Sequence, residues 1–314
     1  MKIPDFEDII QAQLLTGGYI HQTPVMTSSA INRITGAEIF FKCENLQKTG
    51  AFKFRGACNA VFSLTAEQAS RGVGTHSSGN HAAALAFAAS IKGIQAHIVM
   101  PSNAPEIKKK AVAGYGGIIT YCEPTLQARE ATLSRIADIN GLTVIHPYNN
   151  GKVIAGQGTA AKEFMEEIPH IEVMMCPVGG GGLLSGTALS VKALSSSCRV
   201  IAAEPSGADD AFRSFKAGYI IPSAHPVTIA DGLLTSLGEI NFEIIRINVD
   251  TILTVSEASI IQAMRLVWER MKLIIEPSSA VPLAAILENR GLFENQRVGI
   301  ILSGGNIDLK NLPF

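Results

Sequence analysis

The sequence predicts an α/β protein built on two open, mostly parallel, twisted sheets flanked by helices. Three observations carry that expectation. Short β-branched or apolar runs alternate with helical stretches, the pattern of βαβ units. The alternation comes in two runs, with a change-over near residues 146–156. Three strand-like runs lead into polar or glycine-rich turns at Ser77-Ser78-Gly79-Asn80-His81, Gly179-Gly180-Gly181-Gly182 and Ser303-Gly304-Gly305-Asn306. Open parallel sheets bind ligands at such carboxyl ends of their strands.

Bulk properties narrow the class. The 314 residues suffice for one large or two ordinary domains, and 47% hydrophobic with 17% charged residues describes a packed protein. A net charge of -1 offers no electrostatic footprint for nucleic acid or an anionic membrane. The five cysteines (Cys43, Cys58, Cys122, Cys176, Cys198) are scattered without metal-ligand spacing, so buried free thiols are expected. The N-terminus carries Asp5, Glu7 and Asp8 where a signal peptide needs an apolar core. No uncharged apolar segment reaches the ~18 residues that span a bilayer. A cytoplasmic protein with no membrane or nucleic-acid partner is the expectation.

In chain order, residues 5–17 read as a helix with Ile9, Ile10, Leu14 and Leu15 on one stripe, and Ser28-Ser29 offers an N-cap for a short helix ended by Gly36. Residues 38–42 read as a strand and 57–64 as a helix. Strands at 74–76, 96–100, 118–121 and 143–145 then alternate with helices at 82–91, 104–115 and 126–140. In the second run, a helix is expected at 158–167, a strand at 173–178, a helix at 183–194 and a strand at 199–203. Helices at 256–273 and 280–288 precede a buried strand at 298–302. No repeat of fixed period is present.

The chemistry gathers around Lys48-Thr49-Gly50-Ala51-Phe52-Lys53-Phe54-Arg55-Gly56-Ala57. Aromatic neighbours disfavour an ammonium, so Lys53 can present a neutral amine able to form a Schiff base. The alternative is a basic helix start with Lys53 in solvent. The four glycines 179–182 between a strand and a helix suit an anion, because backbone N–H groups converge there with the helix N-terminus. A tight strand-to-helix turn is the plainer reading. The spacing is neither a dinucleotide fingerprint nor a P-loop. Ser77 to His81, in the equivalent place of the first run, suits a small carboxylate, although Ser78 or Asn80 alone could be an N-cap. An aldehyde-competent lysine, a phosphate cradle and a carboxylate cradle together call for pyridoxal phosphate and an amino acid.

The lysine stretch, the Ser-Ser-Gly-Asn-His turn, the tetraglycine loop, Ala203-Glu204-Pro205 and Leu302-Ser303-Gly304-Gly305-Asn306 resemble the fold-type II, tryptophan synthase β-like, pyridoxal phosphate enzymes. The match runs in order over nearly the whole chain. It is most similar to the subgroup of serine racemases and threonine/serine and 3-hydroxyaspartate dehydratases, notably at Val153 to Gly158, Ile229 to Gly232 and Trp268 to Pro277. The resemblance implies a large cofactor domain (1–65 and 147–314) and a small mobile substrate-side domain (72–145). It implies Lys53 as the Schiff-base lysine, with Phe52 against the cofactor ring and Asn80 on its phenolic oxygen. Gly179, Gly180, Gly181, Gly182 and Leu183 would hold the phosphate, and Ser303 would face the pyridine nitrogen.

By the same resemblance Ser78 is the acid/base opposite Lys53, and Ser77, Ser78, Asn80 and His81 take the substrate carboxylate. Arg129 matches a position that can meet a second carboxylate; otherwise it is a solvated helix charge. Glu204, Ala208 and Asp210 match a site for Mg²⁺, or Ca²⁺ or Mn²⁺, made of hard oxygens. Ser28, Ser29, Lys48, Thr49 and Tyr115 match positions that bind a nucleotide effector at a subunit interface, from which Ala30 and Ala83 depart. Ala51, Ala82-Ala83 and Tyr148 depart from the family pattern near the substrate. The expected activity is dehydration of serine, threonine or threo-3-hydroxyaspartate to a keto acid and ammonia, with serine racemisation as the alternative, in a homodimer.

Overall fold

Strands buried on both faces must be apolar on both faces, and the central strands of this chain are. The structure, a computed structural model, describes residues 2–314. In chain order the strands are β1 (Val25–Thr27), β2 (Glu38–Cys43), β3 (Val73–His76), β4 (Ala96–Pro101) and β5 (Ile118–Cys122), followed by β6 (Thr143–Val144), β7 (Val173–Pro177), β8 (Arg199–Pro205), β9 (Thr251–Val255) and β10 (Arg297–Leu302). Six of them form one sheet in the order β1-β2-β10-β7-β8-β9, and the other four form a second, β5-β4-β3-β6. Every pairing is parallel except β1 with β2.

Alternate residues of each strand feed opposite cores. From β2, Ile39 and Phe41 join Ile300 and Leu302 of β10 under the helices Glu257–Met271 and Pro277–Glu288. Phe40 and Ile301 point the other way, against Phe164 and Leu184 of the helices Gly151–Glu167 and Gly182–Leu194. In the smaller sheet, Val73, Ile98 and Met100 pack against the helices Asn80–Ile91 and Lys53–Phe62. Val99 packs on Leu133 and Ile136 of the helix Leu126–Asn140. The helix that begins at Lys53 therefore packs its Phe54, Ala57 and Val61 into the core of the smaller sheet.

Several elements differ from the sequence reading. The helix expected from Ala57 begins at Lys53, and the one expected from Gly158 begins at Gly151. Asn150 caps the latter, its side-chain oxygen accepting from the N–H groups of Lys152 and Val153. Gly156, inside this helix, is a packing device: a Cβ on it would lie 2.6 Å from the Cα of Gly56. Strands β1 and β9 and the helices Ala66–Arg71, Asp210–Ala217 and Glu239–Asn248 were not anticipated. All five cysteines are free, and four are buried, with Cys122 half-buried. Among the described residues no helix is long and apolar enough to cross a membrane.

Candidate active site

Lys53 opens its helix at the carboxyl ends of both sheets. Its Nζ donates to the Pro147 carbonyl at 3.0 Å and sits 5.1 Å from the centre of the Phe52 ring. Burial lowers its pKa from 10.5 to about 8, against the pull of the Glu276 carboxylate. The shift raises the share of free amine at neutral pH above that of an ordinary lysine. The segment before it is tied to the end of β10: Phe52 N–H donates to the Ser303 carbonyl at 2.9 Å, and Ala51 bridges Gly304. Ser303 itself is buried, with its hydroxyl 3.4 Å from that of Ser279.

The tetraglycine loop follows β7. Gly181 takes a left-handed φ of 92° and no side chain caps the helix that starts at Gly182, so its first N–H groups are free for an anion. Each glycine is needed sterically. A Cβ on Gly180 would lie 2.4 Å from the Tyr148 ring, and one on Gly181 would lie 2.8 Å from the Asn241 side chain. A Cβ on Gly179 would meet the Leu233 backbone at 3.0 Å. The buried anion cradle and the depressed lysine fit pyridoxal phosphate. When bound, that group would put its phosphate on Gly179 to Leu183 and its aldehyde at Lys53.

Across the cleft, the Ser77-to-His81 turn joins β3 to the helix Asn80–Ile91. Ser77 Oγ accepts from Gly79 N–H at 3.3 Å, and Ser78 is half-buried beside it. Asn80 is held at both ends: its Nδ2 donates to both oxygens of Glu276 (3.0 and 3.1 Å), and its Oδ1 accepts from Asn306 Nδ2 at 2.9 Å. His81 is buried and stays neutral, because burial and the nearby Lys53 charge hold its pKa well below 6.5. Arg129 is half-buried with its Nε unpartnered, and its charge reaches His76 and Tyr148. Phe52 is thus bonded to Ser303, Lys53 and the glycine loop meet through the 147–148 turn, Asn80 is joined to the Glu276 whose charge reaches Lys53, and the Arg129 charge reaches His76 and Tyr148.

Sequence reasoning missed three contributors. Glu276 is buried, and burial together with the Asp231 charge pushes its pKa up to about 7. His146 and Pro147 form a turn against Lys53. Behind the lysine, Arg55 is fully buried and makes paired bonds to Glu44 (2.7 and 2.8 Å) and to Glu163 (2.7 and 2.8 Å), while Lys42 Nζ sits 2.9 Å from Glu163. These four residues come from three separate segments (42–44, 55 and 163), so no local pattern announces them.

Glu204 and Asp210 lie together at the end of β8, both buried, with Ala208 between them. Glu204 accepts from the N–H groups of Ala211 and Phe212, and Asp210 Oδ2 accepts from Leu237 N–H, leaving Asp210 Oδ1 unpartnered. Burial pushes Glu204 up to about 9 and Asp210 to about 6. Two buried carboxylates, neither in an ion pair because the nearby Arg213 is bonded to Asp209, and one orphaned oxygen fit a hard divalent ion. Among the described residues no cluster of three or more histidine, cysteine or acidic side chains forms a metal-binding group.

Comparison with known proteins bears on the cofactor. The family model described as "Pyridoxal-phosphate dependent enzyme" matches residues 17–304. The chain is 50% identical over 314 residues to the beta-hydroxyaspartate dehydratase of Paracoccus denitrificans, covering all of both chains. It is 51% identical over 316 residues to the serine racemase of Dictyostelium discoideum, covering 99% of this chain and 98% of the relative. The crystal structure of maize serine racemase superposes with a TM-score of 0.96 at 46% identity, covering 98% of this chain and 95% of that one. A depressed lysine facing a glycine cradle, on this fold and with these relatives, makes the chain a member of the pyridoxal-phosphate-dependent enzyme family.

Proposed function

We propose that this enzyme dehydrates small L-β-hydroxy amino acids, serine, threonine or threo-3-hydroxyaspartate, to a keto acid and ammonia. The observation that carries the reading is Lys53: a partly neutral amine, fixed by Pro147, between the glycine loop and the Ser77-to-His81 turn. Bound pyridoxal phosphate supplies an electron sink conjugated with the substrate nitrogen, which acidifies the Cα–H bond. Lys53 Nζ removes that proton. Ser77, Asn80 and the N–H groups of the turn hold the substrate carboxylate, so the Cα–H bond is presented to the lysine. Net, the Cα proton and β-hydroxyl leave as water, and hydrolysis of the carbon–nitrogen bond returns one water, giving keto acid and ammonia. The full-length likeness to a beta-hydroxyaspartate dehydratase supports the class, and Arg129 with its unpartnered Nε supports a substrate carrying a second carboxylate.

A second reading is serine racemisation, supported by Ser78, which is half-buried in the 77–81 turn. A proton delivered to Cα from Ser78 Oγ gives the D-enantiomer. Ser78→Ala then removes D-serine formation and spares elimination from L-serine; equal loss of both sinks that division of labour.

The reading includes a divalent ion at Glu204, Ala208 and Asp210, supported by the two buried carboxylates. It includes motion of residues 72–145, which contain the whole four-stranded sheet, against 1–65 and 147–314. A homodimer, a cytoplasmic location and a nucleotide effector at Ser28, Ser29, Lys48, Thr49 and Tyr115 complete it; sedimentation and titration with a nucleoside triphosphate test the first and last of these. The deciding experiment incubates the purified holoenzyme with each of the three substrates, with and without EDTA, and quantifies keto acid and D-amino acid side by side. Keto acid without D-enantiomer is the expected result. No keto acid from any of the three overturns the proposal.

A further inference from the structure

The turn from His146 to Asn149 touches both Lys53 and the tetraglycine loop. Its Pro147 carbonyl receives Lys53 Nζ at 3.0 Å. Its Tyr148 ring lies against Gly180 of the tetraglycine loop, so close that a Cβ there would meet the ring at 2.4 Å, and a Cβ on Gly182 would lie 3.0 Å from Tyr148 Cβ. The Tyr148 carbonyl accepts from Asn241 Nδ2 at 3.1 Å, and Asn149 Oδ1 accepts from Ile240 N–H at 3.1 Å. One short turn therefore references the lysine end of the site to the phosphate end.

What fixes the turn is the His146 ring. Its Nδ1 lies 2.9 Å from Asn149 N and 3.3 Å from Tyr148 N, accepting from both N–H groups. An Nδ1 that accepts carries no proton, so the ring is neutral with its proton on Nε2. Burial, with the charges of His76 and Lys53, holds its pKa at about 4 and keeps it so at any working pH. The ring is wedged edge-on between His76 (centroids 6.0 Å apart) and Tyr148 (4.5 Å). The chain thus uses an imidazole as other turns use an asparagine or aspartate oxygen, accepting from N–H groups two and three residues on.

We propose that His146 is a positioning residue for Lys53: by accepting two backbone N–H groups it locks the 147–149 turn, which holds the lysine amine on the Pro147 carbonyl and the Tyr148 ring on the glycine loop. The proposal concerns the pyridoxal phosphate site of the family and does not depend on which substrate is used.

The test uses the apoprotein as well as the holoenzyme. Reductive ¹³C-methylation of the apoprotein, with Lys53→Arg as the assignment control, lets the Lys53 amine be titrated by NMR. In His146→Leu the half-buried N–H groups of Tyr148 and Asn149 lose their acceptor, and the freed amine swings towards water. Its midpoint rises from about 8 towards 10.5, and the dissociation constant for pyridoxal phosphate rises at least tenfold. His146→Asn, whose side-chain oxygen can accept from the same two N–H groups, returns the midpoint to within half a unit of wild type. An unchanged or lowered midpoint in His146→Leu overturns the proposal. So does His146→Asn behaving like His146→Leu, because the ring and not its acceptor would then matter. If His146→Leu does not fold, the asparagine variant decides alone: a wild-type midpoint supports the lock, and a raised one refutes it.

Discussion

Gly180→Ala tests how the glycine loop and Tyr148 constrain one another. The Cβ added at Gly180 would lie 2.4, 2.4 and 2.5 Å from three atoms of the Tyr148 ring. Carbon atoms in contact prefer about 3.5–4.0 Å, so either ring or loop must retreat by roughly 1 Å. Overpacking of that kind costs about 1–3 kcal/mol. The cost falls on folding if the ring moves and on cofactor affinity if the loop moves, so both are measured: equilibrium unfolding of the apoprotein and the dissociation constant for pyridoxal phosphate. If all of it falls on affinity, binding weakens by roughly 5- to 150-fold, a tenfold loss corresponding to about 1.4 kcal/mol. Adding Gly180→Ala to Tyr148→Ala, where the ring is gone, should cost at least ~1 kcal/mol less than adding it to wild type. Equal costs in the two backgrounds refute the steric coupling, as does a Gly180→Ala protein matching wild type in both measurements.

Three further outcomes follow from the geometry. Arg55→Met leaves Glu44 and Glu163 facing one another in the interior, and it should lower unfolding stability by about 3–5 kcal/mol, read from denaturant midpoints. The Arg55 and Lys42 charges hold the Glu163 pKa below the usual carboxylate range despite its burial, so its contribution is present above that range and fades as pH falls through the lowered value. In EDTA, Glu204 and Asp210 carry folded pKa values above their unfolded ones, so the folded state binds more protons and stability should fall as pH rises from about 4 towards about 9. Saturating Mg²⁺ or Ca²⁺ should raise the thermal midpoint with ion concentration and flatten that slope; a slope indifferent to the ion counts against the site. Arg129→Ala should lower kcat/KM for threo-3-hydroxyaspartate by roughly 10- to 100-fold, the worth of a charge-assisted bond, and change L-serine turnover less than threefold; a uniform loss refutes a second-carboxylate role.

Much of this arrangement was legible because it is local. Glycines 179–182 and the turn at 77–81 are contiguous, and Ile39-Phe40-Phe41 of β2, Val173 to Cys176 of β7 and Val298 to Leu302 of β10 announce themselves as short runs free of charge. What stayed hidden depends on distant partners. Nothing within residues 52–55 shows that Arg55 is buried, because it is neutralised by Glu44 and Glu163, 11 and 108 residues away. The glycines at 151, 156 and 158 argue against a helix until Gly56 and Gly186 are seen packed on two of them. Glu276 meets Asn80 across 196 residues, and His146 acts through backbone N–H groups that no side-chain pattern displays. Thr65 and Gln68 form a capping box that was in plain view, so the helix Ala66–Arg71 could have been anticipated.

The buried ion cluster behind the lysine has a consequence for how such a sequence can change over time. Lys42 and Arg55 supply two positive charges, Glu44 and Glu163 two negative, and all four are buried. A single replacement strands a charge in the interior, whereas exchanging a matched pair for apolar residues of similar volume does not. Drift at positions 42, 44, 55 and 163 is therefore expected to proceed in pairs that keep the cluster neutral. Intermediates that break neutrality are the most strongly filtered, so the strand β2 and the helices starting at Lys53 and Gly151 are bound to one another in ancestry as well as in space.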